Sequence, residues 1–164
     1  TYIKNTVEEY LSYQPEPSEL LIDSQTVKEK AFLVACGNAS QYGNNAFIAP
    51  HANIQDGKMD ITILSPFGPL DIAPLAIQLF TKQIDRNSKI KTFKGKEVTI
   101  IRQNPGVMHL DGEPIMADSR IEISVLPKSL NVLTPETVSF TEEVQNLFGE
   151  VTRFFDKKLP YIFR

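Results

Sequence analysis

Apolar residues along this chain fall mostly into short runs separated by clusters of Gly, Asn, Asp and Pro, and that spacing predicts strands rather than long helices. Glu19 to Asp23 and Ala31 to Cys36 are two such runs, and they read as an antiparallel pair with a short connection. Met59 to Leu64 alternates, contains β-branched residues and is entered through Asp56-Gly57, so it reads as a half-buried strand. Val98 to Ile101, Val107 to Leu110 and Arg120 to Val125 are further strand candidates. Helical spacing occurs in three places. Tyr2, Val7, Tyr10 and Leu11 share a face over residues 2–13, ahead of Pro15 and Pro17. Leu75, Ile77, Leu79 and Phe80 predict a helix over 72–84. Ser139 and Glu142 form a capping box, and Val144, Phe148, Val151 and Phe155 follow down one stripe over 140–157. The expected fold is therefore mainly β, a β-sandwich with flanking helices, in one domain spanning 1–164.

Composition narrows the function classes. A chain of 164 residues with 41% hydrophobic and 23% charged residues can bury a core without disulfides or metals. Its net charge of -3 argues against a nucleic-acid surface, which rests on a basic face. Lys89, Lys91, Lys94 and Lys96 form a local basic cluster around Gly95; the plain reading is a solvated loop, the alternative an attraction for anionic lipid head groups. Cys36 is the single cysteine and lies in an apolar run, which predicts a buried, inert thiol and a reducing, cytoplasmic setting. His51 and His109 are not at zinc-ligand spacing. No segment approaches the roughly 18 apolar residues of a membrane span, and no basic-then-apolar leader is visible. The chain begins at Thr1, without Met and directly in a helical pattern, so it is expected to be a piece of a longer protein.

The chemistry-bearing residues collect in three loops, each at the end of a predicted strand: Gly37 to Asn45, Asn53 to Asp60, and Asp111 to Glu113. A β-sandwich could bring such loops to one rim. Asp111-Gly112-Glu113 sets two acids about a tight turn, a placement that suits general-base or metal chemistry, although Asp-Gly is also among the commonest plain hairpin turns. Asp56-Gly57-Lys58-Met59-Asp60 could offer carboxylate and carbonyl oxygens to a hard cation such as Mg²⁺, or could be another Asp-Gly turn with Asp60 facing solvent. No Walker loop, Gly-x-Gly-x-x-Gly or His-Glu-x-x-His motif is present.

Taken in order, Gly37-Asn38-Ala39-Ser40-Gln41-Tyr42-Gly43-Asn44-Asn45, Ala49-Pro50-His51-Ala52, Asp56-Gly57-Lys58-Met59-Asp60 and Leu110-Asp111-Gly112-Glu113-Pro114 make the chain resemble the C-terminal domain of the diacylglycerol kinase catalytic family. That family takes in bacterial diacylglycerol and related lipid kinases and the sphingosine and ceramide kinases. The resemblance runs from about Ile22 to Leu133.

It implies the second half of a two-domain fold of the NAD kinase and diacylglycerol kinase type. An N-terminal domain absent from this chain would carry the Gly-Gly-Asp-Gly-Thr loop that binds ATP. The resemblance implies transfer of phosphate from ATP to a diacylglycerol-like or sphingoid alcohol, with Glu113 as general base and Asp111 as its supporting acid near the nucleotide Mg²⁺. It implies a structural Mg²⁺ held by Asp56 with the carbonyls of Asn53 and Lys58, and a cleft lined by Asn38 and Gly43. Expected partners are the lipid, ATP and, transiently, a membrane surface met through the lysine cluster or the Phe148 stripe. The isolated piece is expected to be inactive. The rivals are a non-catalytic β-sandwich that binds a ligand or partner, and the second domain of an NAD kinase.

Overall fold

The computed structural model describes Tyr13 and residues 15–133; the helices expected over 2–13 and 140–157 lie outside the described residues. In chain order the strands are β1 (Glu16–Ile22), β2 (Gln25–Ala31), β3 (Leu33–Gly37) and β4 (Met59–Leu64), then helix α1 (Ile72–Phe80). After it come β5 (Ile90–Gly95), β6 (Glu97–Arg102), β7 (Gly106–Leu110), β8 (Glu113–Ala117) and β9 (Arg120–Ser124). They form a four-stranded sheet ordered β2-β1-β6-β9, a three-stranded sheet ordered β3-β4-β5 and the hairpin β7-β8, all antiparallel.

Register explains the core. Val27, Leu20, Ile100 and Ile121 stand opposite one another across the four-stranded sheet, and Ile22, Val98 and Ile123 form the next row. These rows meet Met59, Ile61 and Ile63 of β4, backed by Val34, Cys36 and Phe93, so the two sheets close as a β-sandwich. Leu20, Ile61, Ile63 and Val98 are fully buried, each stabilising the fold by about 1.5–3 kcal/mol of apolar burial.

The three-stranded sheet is covered on its other face as well. Leu64 and Ile90 pack there with Leu75, Leu79, Ile84 and Phe67. Every residue of β4 from Met59 to Ile63 is consequently buried, and β4 is not the half-buried strand that its alternation predicts. Tyr13, Phe32 and Phe67 stack edge to face beside this layer at centroid spacings of 4.9 Å.

Three local expectations are corrected. The run Ala31 to Cys36 is not one strand: it breaks at Phe32, with Ala31 ending β2 and Leu33 opening β3. The partner of β1 is β2, reached through a turn in which Asp23 takes φ 49°, whereas β3 pairs with β4. The helix expected over 72–84 stops at Phe80, because Lys82 takes φ 59° and Gln83 N–H donates to the carbonyl of Gln78 at 2.8 Å, a Schellman closure. Finally, the lysine cluster is no loop. It lies on and around β5, where Lys91 pairs with Glu29, Lys94 with Asp56 and Asp60, and Lys89 with Asp71.

Where the chain crosses from β5 to β6 it changes sheets, and Asp23 holds the crossing. Its Oδ1 accepts the N–H groups of Lys96 and Glu97 at 2.9 Å each, while its own N–H donates to the carbonyl of Glu97. Gly95 sits against this clamp so closely that a Cβ there would lie 2.6 Å from Ile22 Cγ2 and 3.3 Å from Asp23 Oδ2. Ile22 is β-branched and 3% exposed, so it has no room to turn away. We predict that Gly95→Ala destabilises the domain by about 1–3 kcal/mol in urea titrations; an unchanged midpoint would contradict this packing.

Candidate functional site

Two of the three expected loops adjoin. Gly37, where the first loop begins, is the register partner of Asp60, where the second ends, and Asp60 in turn faces Lys94 across β5. The first loop folds on itself: Gly43 (φ 148°) bridges Ala46 around Asn44 and Asn45, both at positive φ. Its far end is fastened to the helix layer, since Phe47 N–H donates to the carbonyl of Leu79 at 3.0 Å.

The second loop is a compact turn. Asn53 Oδ1 accepts the N–H of Gln55, the Asn53 carbonyl accepts the N–H of Asp56, and Asp56 Oδ1 accepts the N–H of Lys58 at 2.9 Å. Asp56, Asn53 and Lys58 are thus brought together, as a metal reading requires. The cation that serves the turn, however, is the Lys94 ammonium. It donates to Asp56 Oδ2 at 3.1 Å and to the His51 carbonyl at 3.2 Å, and lies 3.2 Å from Asp60 Oδ2. The oxygens are of the hard type that Mg²⁺ takes. Yet the charge of Asp56 is already matched by the Lys94 ammonium. A divalent ion does not fit here without displacing Lys94.

Asp60 does not face solvent. It is 8% exposed, and its Oδ2 is a buried side-chain oxygen without a hydrogen bond. Thr62, two residues on along the same face, is satisfied by donating to the Ile48 carbonyl at 2.8 Å. These two polar side chains open into a cavity of about 220 Å³ walled by Ala49, Pro50, His51, Asp85, Thr92 and Lys94. His51 Nε2 lies 3.2 Å from Asp85 Oδ2 across its mouth. The motif reading missed Asp60, Thr62, Asp85 and Lys94 as a group. The available signal was the polar pair Asp60 and Thr62 at period two inside an otherwise apolar strand.

The third loop stands apart. Leu110 pairs with Glu113 across a two-residue turn in which Asp111 (φ 48°) and Gly112 (φ 92°) both take positive φ, a type I′ hairpin. The turn leaves Asp111 and Glu113 exposed, and among the described residues neither carboxylate has a hydrogen-bond or ion-pair partner. The hairpin is tied to the sandwich by Arg102, whose guanidinium donates to the carbonyls of Gly106 and Ala117 at 2.7 Å each and of Asp118 at 3.2 Å. No hydrogen bond among the described residues joins this tip to Asn38, Gly43 or Asp56. Cys36 is half-buried in β3 and its thiol is pushed up to about 11 by burial, so it is no nucleophile at neutral pH.

Two tests follow from these contacts. The N–H groups of Glu97 and Lys96 hold Asp23 below the ordinary 3.8, and the Lys58 N–H with the Lys94 ammonium does the same for Asp56. Carboxyls depressed on folding stabilise the fold above the unfolded value, and that contribution is lost as pH falls through the folded one. The domain should therefore lose Tm below about pH 4, and Asp23→Asn with Asp56→Asn should make that loss shallower; an identical slope in the double variant would exclude both groups. Lys94→Met should cost about 1–3 kcal/mol in urea unfolding by leaving the buried Asp60 carboxylate unmatched. Adding Asp60→Asn should recover part of the loss.

Comparison with known proteins places this architecture. A family model described as the YegS C-terminal NAD kinase beta sandwich-like domain matches residues 1–134. The chain is 28% identical over 125 residues to a Shewanella frigidimarina protein named probable lipid kinase YegS-like, covering 76% of this chain and 40% of that protein. It is 28% identical over 127 residues to a diacylglycerol kinase of Mycobacterium tuberculosis, covering 74% and 39%. A crystal structure of a diacylglycerol kinase from Bacillus anthracis superposes with a TM-score of 0.55 at 20% identity, over 77% of this chain and 44% of that one. The chain spans about two fifths of the length of the lipid kinase and diacylglycerol kinase relatives named here. With the sandwich, the Asp-Gly turns and a match over 134 residues in place, the chain belongs to the family of YegS-type C-terminal β-sandwich domains of lipid and diacylglycerol kinases.

Proposed function

We propose that this chain is the acceptor-side half of an ATP-dependent lipid kinase acting on a diacylglycerol-like or sphingoid alcohol at the cytoplasmic face of a membrane. The observation that carries the reading is the Asp111-Gly112 turn. It fixes Glu113 at the first position of β8 with its carboxylate exposed and, among the described residues, unpartnered, in a chain whose relatives are named lipid kinase and diacylglycerol kinase.

In this reading the lipid hydroxyl donates its proton to a Glu113 oxygen as the hydroxyl oxygen attacks the γ-phosphorus of ATP. A new phosphorus–oxygen bond forms to the lipid while the bond to the β-phosphate oxygen breaks, releasing ADP. Among the described residues no partner holds the Glu113 carboxylate, so it is free to accept a hydrogen bond from the substrate hydroxyl when the substrate arrives. Asp111, one residue before the glycine, would be the supporting acid near the Mg²⁺ of the nucleotide. The metal neutralises phosphate charge when bound with the nucleotide. At the Asp56 turn Lys94 already supplies the positive charge. Asn38 and Gly43, on the loop that joins β3 to the helix layer, would line the cleft.

ATP binding would rest on the part of the relatives that this chain does not span, so the chain alone should not phosphorylate lipid. In the full-length enzyme, Glu113→Gln should lower kcat by about 10²–10⁴-fold in a radiolabelled-ATP assay on a lipid panel while leaving Tm unchanged, since the side chain is exposed. Turnover near that of the parent would remove Glu113 from the role of base.

A further inference from the structure

Helix α1 has the sequence Ile-Ala-Pro-Leu-Ala-Ile-Gln-Leu-Phe and carries no charged residue. A short helix at the surface of a globular domain ordinarily presents a polar outer face, and one that is apolar all round is buried on every side. This helix is neither. Leu75 alone is buried; Leu79 packs inward beside it, and the one polar residue, Gln78, is turned inward to accept from Asn87 Nδ2 at 2.6 Å. Its outer face, Ala73, Ala76, Ile77 and Phe80, is exposed, and Leu70 in the turn that leads into it is 92% exposed, with Ile77 at 64% and Phe80 at 56%. A continuous apolar face of this kind marks a contact surface.

The charges at its rim say what it meets. Asp71 is paired with Lys89 at 3.9 Å, and Asp85 lies 3.2 Å from His51. Lys82, set just past the helix over the ring of Phe47 at 4.5 Å, and Arg86 have no carboxylate partner among the described residues. Around the uncharged apolar centre the rim therefore carries two cations, Lys82 and Arg86, against one carboxylate, Asp85, whose neighbour His51 is charged only when protonated; this net positive rim is the pattern of a segment that lies in the interface of an anionic bilayer. The position fits as well. The Phe47 N–H bond to Leu79 fixes the helix directly to the Gly37 to Pro50 loop, which carries Asn38 and Gly43.

We infer that the outer face of α1, with Leu70, Ile77 and Phe80 as its apolar contacts and Lys82 and Arg86 as its cationic rim, docks this kinase on an anionic lipid bilayer. This rests on the lipid-kinase reading above, since a water-insoluble acceptor obliges the enzyme to work at a membrane. The rim should act first, by attraction to phosphatidylglycerol-type head groups, and the apolar face should then insert to headgroup depth.

The test uses the full-length protein and flotation with phosphatidylcholine vesicles containing about one third phosphatidylglycerol. Ile77→Glu with Phe80→Glu should weaken binding by about tenfold or more, and Lys82→Glu with Arg86→Glu should weaken it only on the anionic vesicles. Both pairs are outward-facing, so Tm should hold; Ile77→Ser with Phe80→Ser gives the same readout without new charge. Met116→Glu, an exposed apolar position on the separate hairpin, should leave binding intact. Undiminished flotation of the Ile77 and Phe80 variants would overturn the inference. So would a fall in Tm of the full-length protein, which would mean that the rest of the protein covers the face, or a dimer-to-monomer change in light scattering, which would assign it to a second copy. Phosphorylation of a dispersed short-chain diacylglycerol should survive the docking substitutions. Absence of phosphorylation of every lipid by the parent would sink the kinase reading, while flotation would still decide the docking surface.

Discussion

A strand buried on both faces cannot carry a polar side chain unless the fold supplies its partner on the spot, and β4 carries two. Ile61 and Ile63 point into the sandwich, so the pleat sends Asp60 and Thr62 to the opposite face, beneath the loop and helix layer. Thr62 is answered by the Ile48 carbonyl, which requires the 37–50 loop to fold back over the sheet. Asp60 is answered from across the ladder by Lys94, whose ammonium then reaches the Asp56 turn and the His51 carbonyl. One register, Gly37 to Asp60 to Lys94, thereby fixes two loops against one another. A one-residue slip would drive Asp60 into the apolar core, which makes this pairing the constraint on which the local architecture turns.

Asp23 does a comparable job between the sheets. The β5 to β6 connection leaves one sheet and enters the other within the span of Gly95 to Glu97, and the two N–H groups exposed by that crossing both end on one carboxylate oxygen. The absence of a side chain at Gly95 lets the crossing lie against Ile22. The sandwich is therefore closed by buried apolar rows but aligned by a few polar contacts at its edges.

What could be read from the residues follows from the same physics. The β-rich body, the strand entered through Asp56-Gly57 and the Asp111-Gly112 turn were legible, because alternation and Asp-Gly are local signals. β2 was not: in Gln25 to Ala31 only Val27 and Ala31 are buried, and its Lys and Glu residues guard an outer edge. β5 was hidden for a related reason, since its lysines look like a solvated loop until Glu29, Asp56 and Asp60 are placed opposite them. The early end of α1 was invisible because the left-handed residue that closes it is Lys82 and not a glycine. Asp60 was misjudged because burial on a second face depends on a layer 11 to 30 residues away in either direction, which no window of local pattern contains.

The two pairs of loop acids are built on opposite plans, and that difference has a reason. Asp56 is held by the Lys58 N–H and by Lys94, and Asp60 is matched, among the described residues, by the Lys94 ammonium alone, so their charge is spent on holding loops in place. Asp111 and Glu113 are held by backbone geometry alone. The type I′ turn sets their direction, Arg102 fixes the hairpin through three carbonyls, and among the described residues neither carboxylate gives up an oxygen to a partner. The proposed role of Glu113 asks for this, because a base must be oriented without being neutralised: any partner that stabilises its charged form lowers its affinity for the substrate proton. A tight hairpin anchored at its base, away from its tip, meets both demands at once, and it does so without drawing on the packing that stabilises the sandwich.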